Sequence, residues 1–345
     1  MRAAFAFRPA GLMIGALFAA AVLAGVPQAL AAQDAEKLTP ERIAQSVVQI
    51  HVDVPADAPS AHRLGATRDG IGAVIRMDGI AEGHIVTIGY LIMDAGFAEV
   101  TDYAGHKRAA QVVGYDQGSG LGLLRLSGKA DLPALELGDS RGLELRHPVI
   151  VASSGQVGDL QPALVASLRP FAASWEYMLE RAIYATPAVP QFGGAPLLGS
   201  DGKLVGVGSL LVNDAVLGQN MLGNMFVPAE LLRPVVRELV ESGRPKSSHP
   251  WLGLNAEELQ KDGMLIVGNV TANGPAAKAG LRRGDVIYSL DGQPIKGLAD
   301  FYTRMWGLGG PGVEVPLRVM QPDGSRQLRV KSDDRYRYMK SQATY

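Results

Sequence analysis

Gly274-Pro-Ala-Ala-Lys-Ala-Gly-Leu-Arg-Arg-Gly-Asp-Val-Ile-Tyr-Ser-Leu-Asp-Gly-Gln-Pro-Ile295 decides how the second half of this chain folds. Pro275 opens a short helical run that Gly280 closes, Gly284 leads into a strand, and Asp291-Gly292 makes a tight turn. These residues build a fold and bring no ligand chemistry of their own. Working outward, the pattern predicts strands at Met264 to Val270 and Asp285 to Leu290, a helix from Leu298 to about Trp306, and a hairpin around Gln321-Pro-Asp-Gly-Ser325. Leu298, Phe301, Tyr302 and Met305 share one face of that helix. The domain starts at Trp251 and runs to residue 335; the charged stretch from Asp333 onward, with 336–345 at its end, reads as a loose tail.

Before Trp251 stands Ser242-Gly-Arg-Pro-Lys-Ser-Ser-His-Pro250, whose polar, proline-containing composition is that of a linker over residues 242–250. Residues 32–241 form the other domain. A short helix starting at Pro40 passes into the alternating run Val47-Val-Gln-Ile-His-Val-Asp-Val54, and a loop follows from Pro55 to Thr67. From Gly70 to about Val227, short β-branched runs recur between Gly, Asp and Ser turns, as in Gly72-Ala-Val-Ile-Arg76, His84-Ile-Val-Thr87 and Pro148-Val-Ile-Val-Ala152. That is the pattern of an all-β barrel or sandwich. A helix is expected over Pro228 to Glu241, kinked at Pro234.

The 345 residues leave room for about two domains, and 47% apolar with 19% charged residues indicates globular packing. Net charge is −1, and loss of Arg2 and Arg8 takes it to −3, so no basic field attracts nucleic acid. With no cysteine, disulfides, zinc-thiolate sites and a thiol nucleophile are excluded; no metal or organic cofactor is implied. Residues 1–31 read as a signal peptide: Arg2 and Arg8 precede an apolar run from Gly11 to Gly25, and Ala29-Leu30-Ala31 is an Ala-x-Ala cleavage pattern. The run is shorter than the ~20 residues of a spanning helix, so cleavage before Ala32 leaves an exported, periplasmic protein without a membrane span.

From about Pro40 to about Asp333 the chain resembles the HtrA/Deg family of serine proteases. Gly70-Ile-Gly-Ala-Val-Ile75 is similar to the family's G-S-G-V-I strand, Leu137-Gly-Asp-Ser140 to its L-G-D-S turn, and Gly193-Gly-Ala-Pro-Leu197 to its S-G-G-P-L hairpin; Phe226-Val-Pro228 echoes its F-A-I-P. The stretch Gly274 to Ile295 resembles a bacterial PDZ domain. The resemblance implies a mainly β protein, a chymotrypsin-like double β-barrel followed by one C-terminal PDZ domain of α+β type.

A serine protease needs a hydroxyl nucleophile, an imidazole base and a carboxylate that orients the base. The family's T-N-x-H-V is matched by Thr87-Ile-Gly-Tyr-Leu91, its T-D-L-A-V-L by Ser119-Gly-Leu-Gly-Leu-Leu124, and its N-P-G-N-S-G-G-P-L by Val189-Pro-Gln-Phe-Gly-Gly-Ala-Pro-Leu197. Tyr90, Gly120 and Gly193 therefore stand at the triad positions, 30 and 73 residues apart, with matching flanks that argue against a register error. Gln191 replaces a glycine of the oxyanion loop, beside Phe192. His84 is the nearest histidine to Tyr90, and Ser153 and Ser154 follow a strand; these read as a strand residue and turn residues. The expectation is a non-enzyme, a pseudoprotease that binds polypeptides as adaptor, chaperone or scaffold in envelope protein quality control. The alternative is an active endopeptidase with a displaced nucleophile.

Peptide binding is expected at Trp251-Leu252-Gly253-Leu254, which corresponds to the family's carboxylate-binding loop, with the strand continuing through Asn255 and Ala256 and a groove wall carrying Phe301 and Met305. Phe171 to Glu180 resembles the family's regulatory loop. Expected partners are polypeptide C-termini or unfolded proteins, and the resemblance implies a homotrimer or a hetero-oligomer with an active HtrA homologue.

Overall fold

The computed structural model describes residues 39–128, 131–259 and 262–338. The signal-peptide reading over residues 1–31, the start at Ala32 and the last tail residues lie outside the described residues.

Thr39 caps the first helix, Pro40–Gln45, through its hydroxyl oxygen, which accepts from the Arg42 N–H at 3.3 Å. This helix leads into β1 (Val47–Asp53), which is followed by β2 (Thr67–Arg76), β3 (His84–Ile88), β4 (Phe97–Thr101), β5 (Lys107–Tyr115), β6 (Leu121–Leu126) and the two-residue β7 (Leu135–Glu136). The order β1-β4-β5-β6-β3-β2 closes on itself through β1–β2 pairing, from Val47 opposite Ala73 to Asp53 opposite Thr67, and β7 adds to β2 in parallel. In β1 the inward Val48, Ile50 and Val52 are buried while Gln49 and Asp53 are exposed, as half-buried strands require. All five residues of β3 are buried, and the strand also contacts the second barrel.

That second barrel is built from β8 (Pro148–Ala152), β9 (Leu160–Ala173), β10 (Tyr177–Thr186), β11 (Pro196–Leu198), β12 (Leu204–Val212) and β13 (Gly223–Pro228), closed in the order β10-β13-β12-β11-β8-β9. Here the region Phe171 to Glu180 departs from the sequence reading. It is the far end of a long β9–β10 hairpin rather than a loop, with Tyr177 opposite Ala173 and a tip at Ser174-Trp175-Glu176. The turn carries its left-handed residue at Glu176 (φ 56) instead of at a glycine or asparagine, so no ordinary turn signal marked it.

The C-terminal domain comprises β14 (Leu254–Glu258), β15 (Leu265–Val270), β16 (Val286–Leu290), β17 (Gln293–Pro294), β18 (Glu314–Gln321) and β19 (Gly324–Lys331). Its sheet order β14-β15-β16-β18-β19 leaves β14 at an edge. Over the sheet lies the helix Leu298–Gly307, whose buried face is Leu298, Phe301, Tyr302 and Met305, as its spacing predicts.

Three boundary readings are corrected. The helix expected over Pro228 to Glu241 is broken, not kinked: a 3-10 turn, Ala229–Leu232, precedes Pro234 and the α-helix, Val236–Ser242, begins after it. Residues 242–250 do not act as a free spacer. The Lys246 N–H donates to the Glu238 carboxylate at 2.7 Å, and the His249 ring stacks on Trp306 at 4.2 Å. Nor are the residues after Asp333 loose as far as Tyr338: Asp333 exchanges backbone bonds with Trp251, Arg335 is inserted between the two domains, and the Tyr336 hydroxyl accepts from the Gln117 N–H at 2.9 Å. The described residues consequently belong to one compact unit.

Candidate functional site

Tyr90 lies in the helical turn Gly89–Ile92 that follows β3, and its hydroxyl crosses to the second barrel, donating to the Ser209 carbonyl of β12 at 3.0 Å. Burial pushes that hydroxyl up to about 12, which keeps it protonated at neutral pH. Gly193 comes to the same place from the other side. Its carbonyl accepts from the Ile71 N–H at 2.9 Å, and a Cβ at 193 would stand 3.0 Å from the Tyr90 hydroxyl. Next to it, Gly194 has φ 82, and a Cβ there would lie 1.9 Å from the Ile71 carbonyl oxygen, so only glycine fits. Gln191 is exposed, Phe192 is half-buried, and neither has a left-handed backbone.

Gly120 is brought to this cleft through the backbone. Its carbonyl accepts from the Gly89 N–H at 2.7 Å, one residue before Tyr90. It has φ 79, and a Cβ would meet the Tyr177 hydroxyl at 3.0 Å; that hydroxyl donates to the Ser119 carbonyl at 2.6 Å. The three positions singled out from the sequence thus converge, carrying a phenol and two glycines.

His84 lies in a strand, as its sequence reading has it, but not at the surface. It is buried, its Nδ1 bonded to the Ala81 carbonyl at 2.7 Å and its Nε2 without a hydrogen-bond partner. Burial lowers its pKa. Ser154 bonds the Asp159 carboxylate and Ser153 the Asp159 carbonyl, which fixes a turn. Histidine hydrogen bonds among the described residues go to Asp69, Ala81, Asp102 and the Glu144 N–H, none of them to a hydroxyl. No group of three or more metal-ligating side chains occurs among the described residues.

The second site is the loop in front of β14. The N–H groups of Leu252, Gly253 and Leu254 converge on one carboxylate, that of Glu176 at the β9–β10 tip, at 2.8, 2.7 and 2.9 Å. The Ala256 N–H donates to the Ser174 carbonyl at 3.0 Å. From the helix, the Tyr302 hydroxyl donates to the Ala173 carbonyl at 2.7 Å and accepts from the Glu176 N–H at 3.2 Å. Half-buried Arg335 donates to the Trp175 carbonyl at 3.1 Å. Burial pushes the Glu176 carboxyl up to about 7, against the opposing pull of the three N–H groups and the Arg335 charge.

Among the residues expected at this site, Leu252, Gly253 and Leu254 supply the donors and Ala256 the strand edge. Asn255 pairs with Asn269 of β15. Trp251 turns its ring to Tyr338 at 4.7 Å, and Phe301 and Met305 are fully buried in the domain core. Glu176 and Arg335 were missed. They are remote in sequence from the loop; Glu176 lies in the Phe171 to Glu180 segment that resembles the family's regulatory loop, but neither residue was assigned to this site.

A model described as trypsin-like peptidase domain matches residues 70–207, and one described as PDZ domain matches residues 250–331. This chain is a trypsin-like peptidase domain followed by one PDZ domain. Its homologues are DegP/HtrA serine proteases. A probable periplasmic serine endoprotease, DegP-like, of Pseudomonas fluorescens is 31% identical over 261 residues, covering 72% of this chain and 53% of that protein. The serine protease Do-like HtrB of Bacillus subtilis is 28% identical over 282 residues, covering 74% and 60%. The chain spans about half the length of the curated relatives it matches. Among solved structures, the HtrA-type protease AlgW with tripeptide superposes with a TM-score of 0.53 at 22% identity over 85% of this chain and 94% of that one. The serine endoprotease from Yersinia pestis gives 0.53 at 19%, over 85% and 95%. At these identities the two structures speak for the trypsin-like and PDZ folds alone.

These comparisons correct one reading. The expectation of a non-enzyme, drawn from Tyr90, Gly120 and Gly193, is overturned by relatives named serine endoproteases, which point to an active protease.

Proposed function

We propose that this protein is an HtrA-type serine endopeptidase of the periplasm, with a nucleophile displaced from position 193 and a PDZ domain that binds polypeptide C-termini. The observation that carries the reading is the 31% identity, over 72% of this chain, with a protein named a probable periplasmic serine endoprotease, DegP-like. Its location follows the same relatives, and no helix among the described residues is long and apolar enough to cross a membrane.

Serine-type hydrolysis requires a hydroxyl to attack the scissile carbonyl, a base to take its proton and N–H donors for the oxyanion. Gly193 has no hydroxyl, and Tyr90 is held protonated, so attacking group and base come from other residues. The serines bonded into the cleft framework are Ser119, beside Gly120, and Ser209, at a bulge of β12 beside the Tyr90 hydroxyl. On the PDZ side, the reading assigns carboxylate recognition to the N–H groups of Leu252 to Leu254 and strand pairing to the β14 edge. Assembly as a homotrimer or with an HtrA homologue belongs to the same reading and is read by the mass of the protein in solution.

The test treats the full chain with a serine-reactive fluorophosphonate and follows digestion of unfolded casein. Cleavage is expected, with the label mapping to a serine in the trypsin-like domain and alanine substitution of that serine abolishing both signals. A folded protein that neither labels nor cleaves overturns the endopeptidase reading and leaves polypeptide binding.

A further inference from the structure

In strand-addition recognition of a peptide C-terminus, a loop of backbone N–H groups takes the terminal carboxylate, and the edge strand pairs with the residue two positions upstream. Both contacts are already made here. Leu252, Gly253 and Leu254 donate to the Glu176 carboxylate, and two residues upstream the Ser174 carbonyl accepts from Ala256 of β14. A residue inside a chain has no terminal carboxylate, and glutamate supplies one from its side chain. The left-handed backbone of Glu176 (φ 56) then turns the chain away from the loop into β10. A non-glycine residue in that region is an uncommon conformation that surrounding contacts must hold in place. Here they are Tyr302, which bonds the backbone on both sides of the tip, and Arg335, which bonds the Trp175 carbonyl.

We infer that Glu176 is an internal ligand of the PDZ domain, filling the carboxylate loop and β14 edge with the β9–β10 tip, so that an external C-terminus binds only after the tip withdraws. The inference rests on the proposed C-terminus recognition for its external ligand, but the internal contact can be tested without one. The occupant is a carboxylate presented by an extended segment, and its competitor has the same chemistry: a free peptide C-terminus whose last three residues lie along β14.

Two measurements on the full chain separate the internal contact from the external ligand. The first is amide hydrogen exchange at Leu252, Gly253, Leu254 and Ala256 in the wild type, Glu176→Ala and Glu176→Gln. The glutamine variant keeps the side-chain shape if the alanine variant fails to fold. Removing a charged acceptor from three donors is expected to speed exchange at the loop amides at least about tenfold, with the strand β18 amides unchanged. Unchanged exchange at Leu252 to Leu254 in a folded variant overturns the inference. The second is retention of a pool of ten-residue peptides with randomised last four residues and free C-termini, against the same pool amidated. Free-carboxylate peptides are expected to bind Glu176→Ala at least about tenfold more tightly than wild type, and amidated ones no better. Measurable and equal binding of the free pool to wild type and variant overturns occlusion. Faster exchange without peptide capture upholds the internal contact and overturns C-terminus recognition instead.

Discussion

The cleft between the barrels and the loop in front of β14 hold different kinds of site, and the sequence records them differently. A cleft of this type works through side chains, and the three positions that converge there carry Tyr90, Gly120 and Gly193. The loop works through backbone N–H groups, which almost any residue can present once the turn is made, and in this chain they are all aimed at one carboxylate. A side-chain site depends on which residue stands at each position. A backbone site persists for as long as its turn does, and what changes is the group that fills it.

The sharpest way to break this comparison is at the frame of the cleft. Gly194→Ala places a Cβ 1.9 Å from the Ile71 carbonyl in a left-handed residue, and a loss of about 3 kcal/mol or more is expected in urea unfolding. A variant as stable as wild type would show that the two barrels are not fixed to each other through this turn. Next in size is the loop. Glu176→Ala leaves three N–H groups and the Arg335 guanidinium without their acceptor charge, with an expected loss of about 2 kcal/mol. The same variant should leave the midpoint of the first barrel's unfolding unmoved if the two sites are independent.

Tyr302→Phe sharpens the comparison by removing the two bonds that hold the tip while keeping the ring in the core, at an expected cost of about 1 kcal/mol. Loop amide exchange should quicken in this variant too; protection equal to wild type would assign the tip's position to Glu176 alone. The smallest effect is a pH dependence at His84. Burial lowers its folded pKa below the ordinary 6.5, so the unfolded chain takes up the proton first. Its contribution is complete above about 6.5 and is lost as pH falls from there toward the folded value. Wild-type thermal stability should therefore fall more steeply than that of His84→Phe below pH 6.5; parallel curves would mean that the imidazole is hydrated in the folded state.

Much of this was legible in the sequence because the relevant signals are local. The alternation of Val48, Ile50 and Val52, the helix face of Leu298, Phe301, Tyr302 and Met305, and the Asp291-Gly292 turn each lie within a few residues of one another. Elsewhere local reading failed. His84 was taken for a strand residue without partners because its sequence neighbours do not show that its ring is enclosed and bonded back to the Ala81 carbonyl. The residues after Asp333 were taken for a tail because their charge suggested solvent, yet Arg335 is half-buried and bonded to the Trp175 and Glu176 carbonyls. Phe171 to Glu180 was taken for a loop because its turn uses a glutamate at the left-handed position.

What the sequence determined by itself is a β-rich domain followed by a smaller α+β domain, since strand periodicity and turn chemistry are written along the chain; the two barrels, the PDZ domain and the three cleft positions came from motifs that resemble the HtrA/Deg family. Only the tertiary structure decided that the Leu252 to Leu254 loop already holds a carboxylate. Glu176 lies 76 residues before Leu252, and the two meet only because the long β9–β10 hairpin reaches from one domain onto the edge of the other, a consequence of docking that no local spacing encodes.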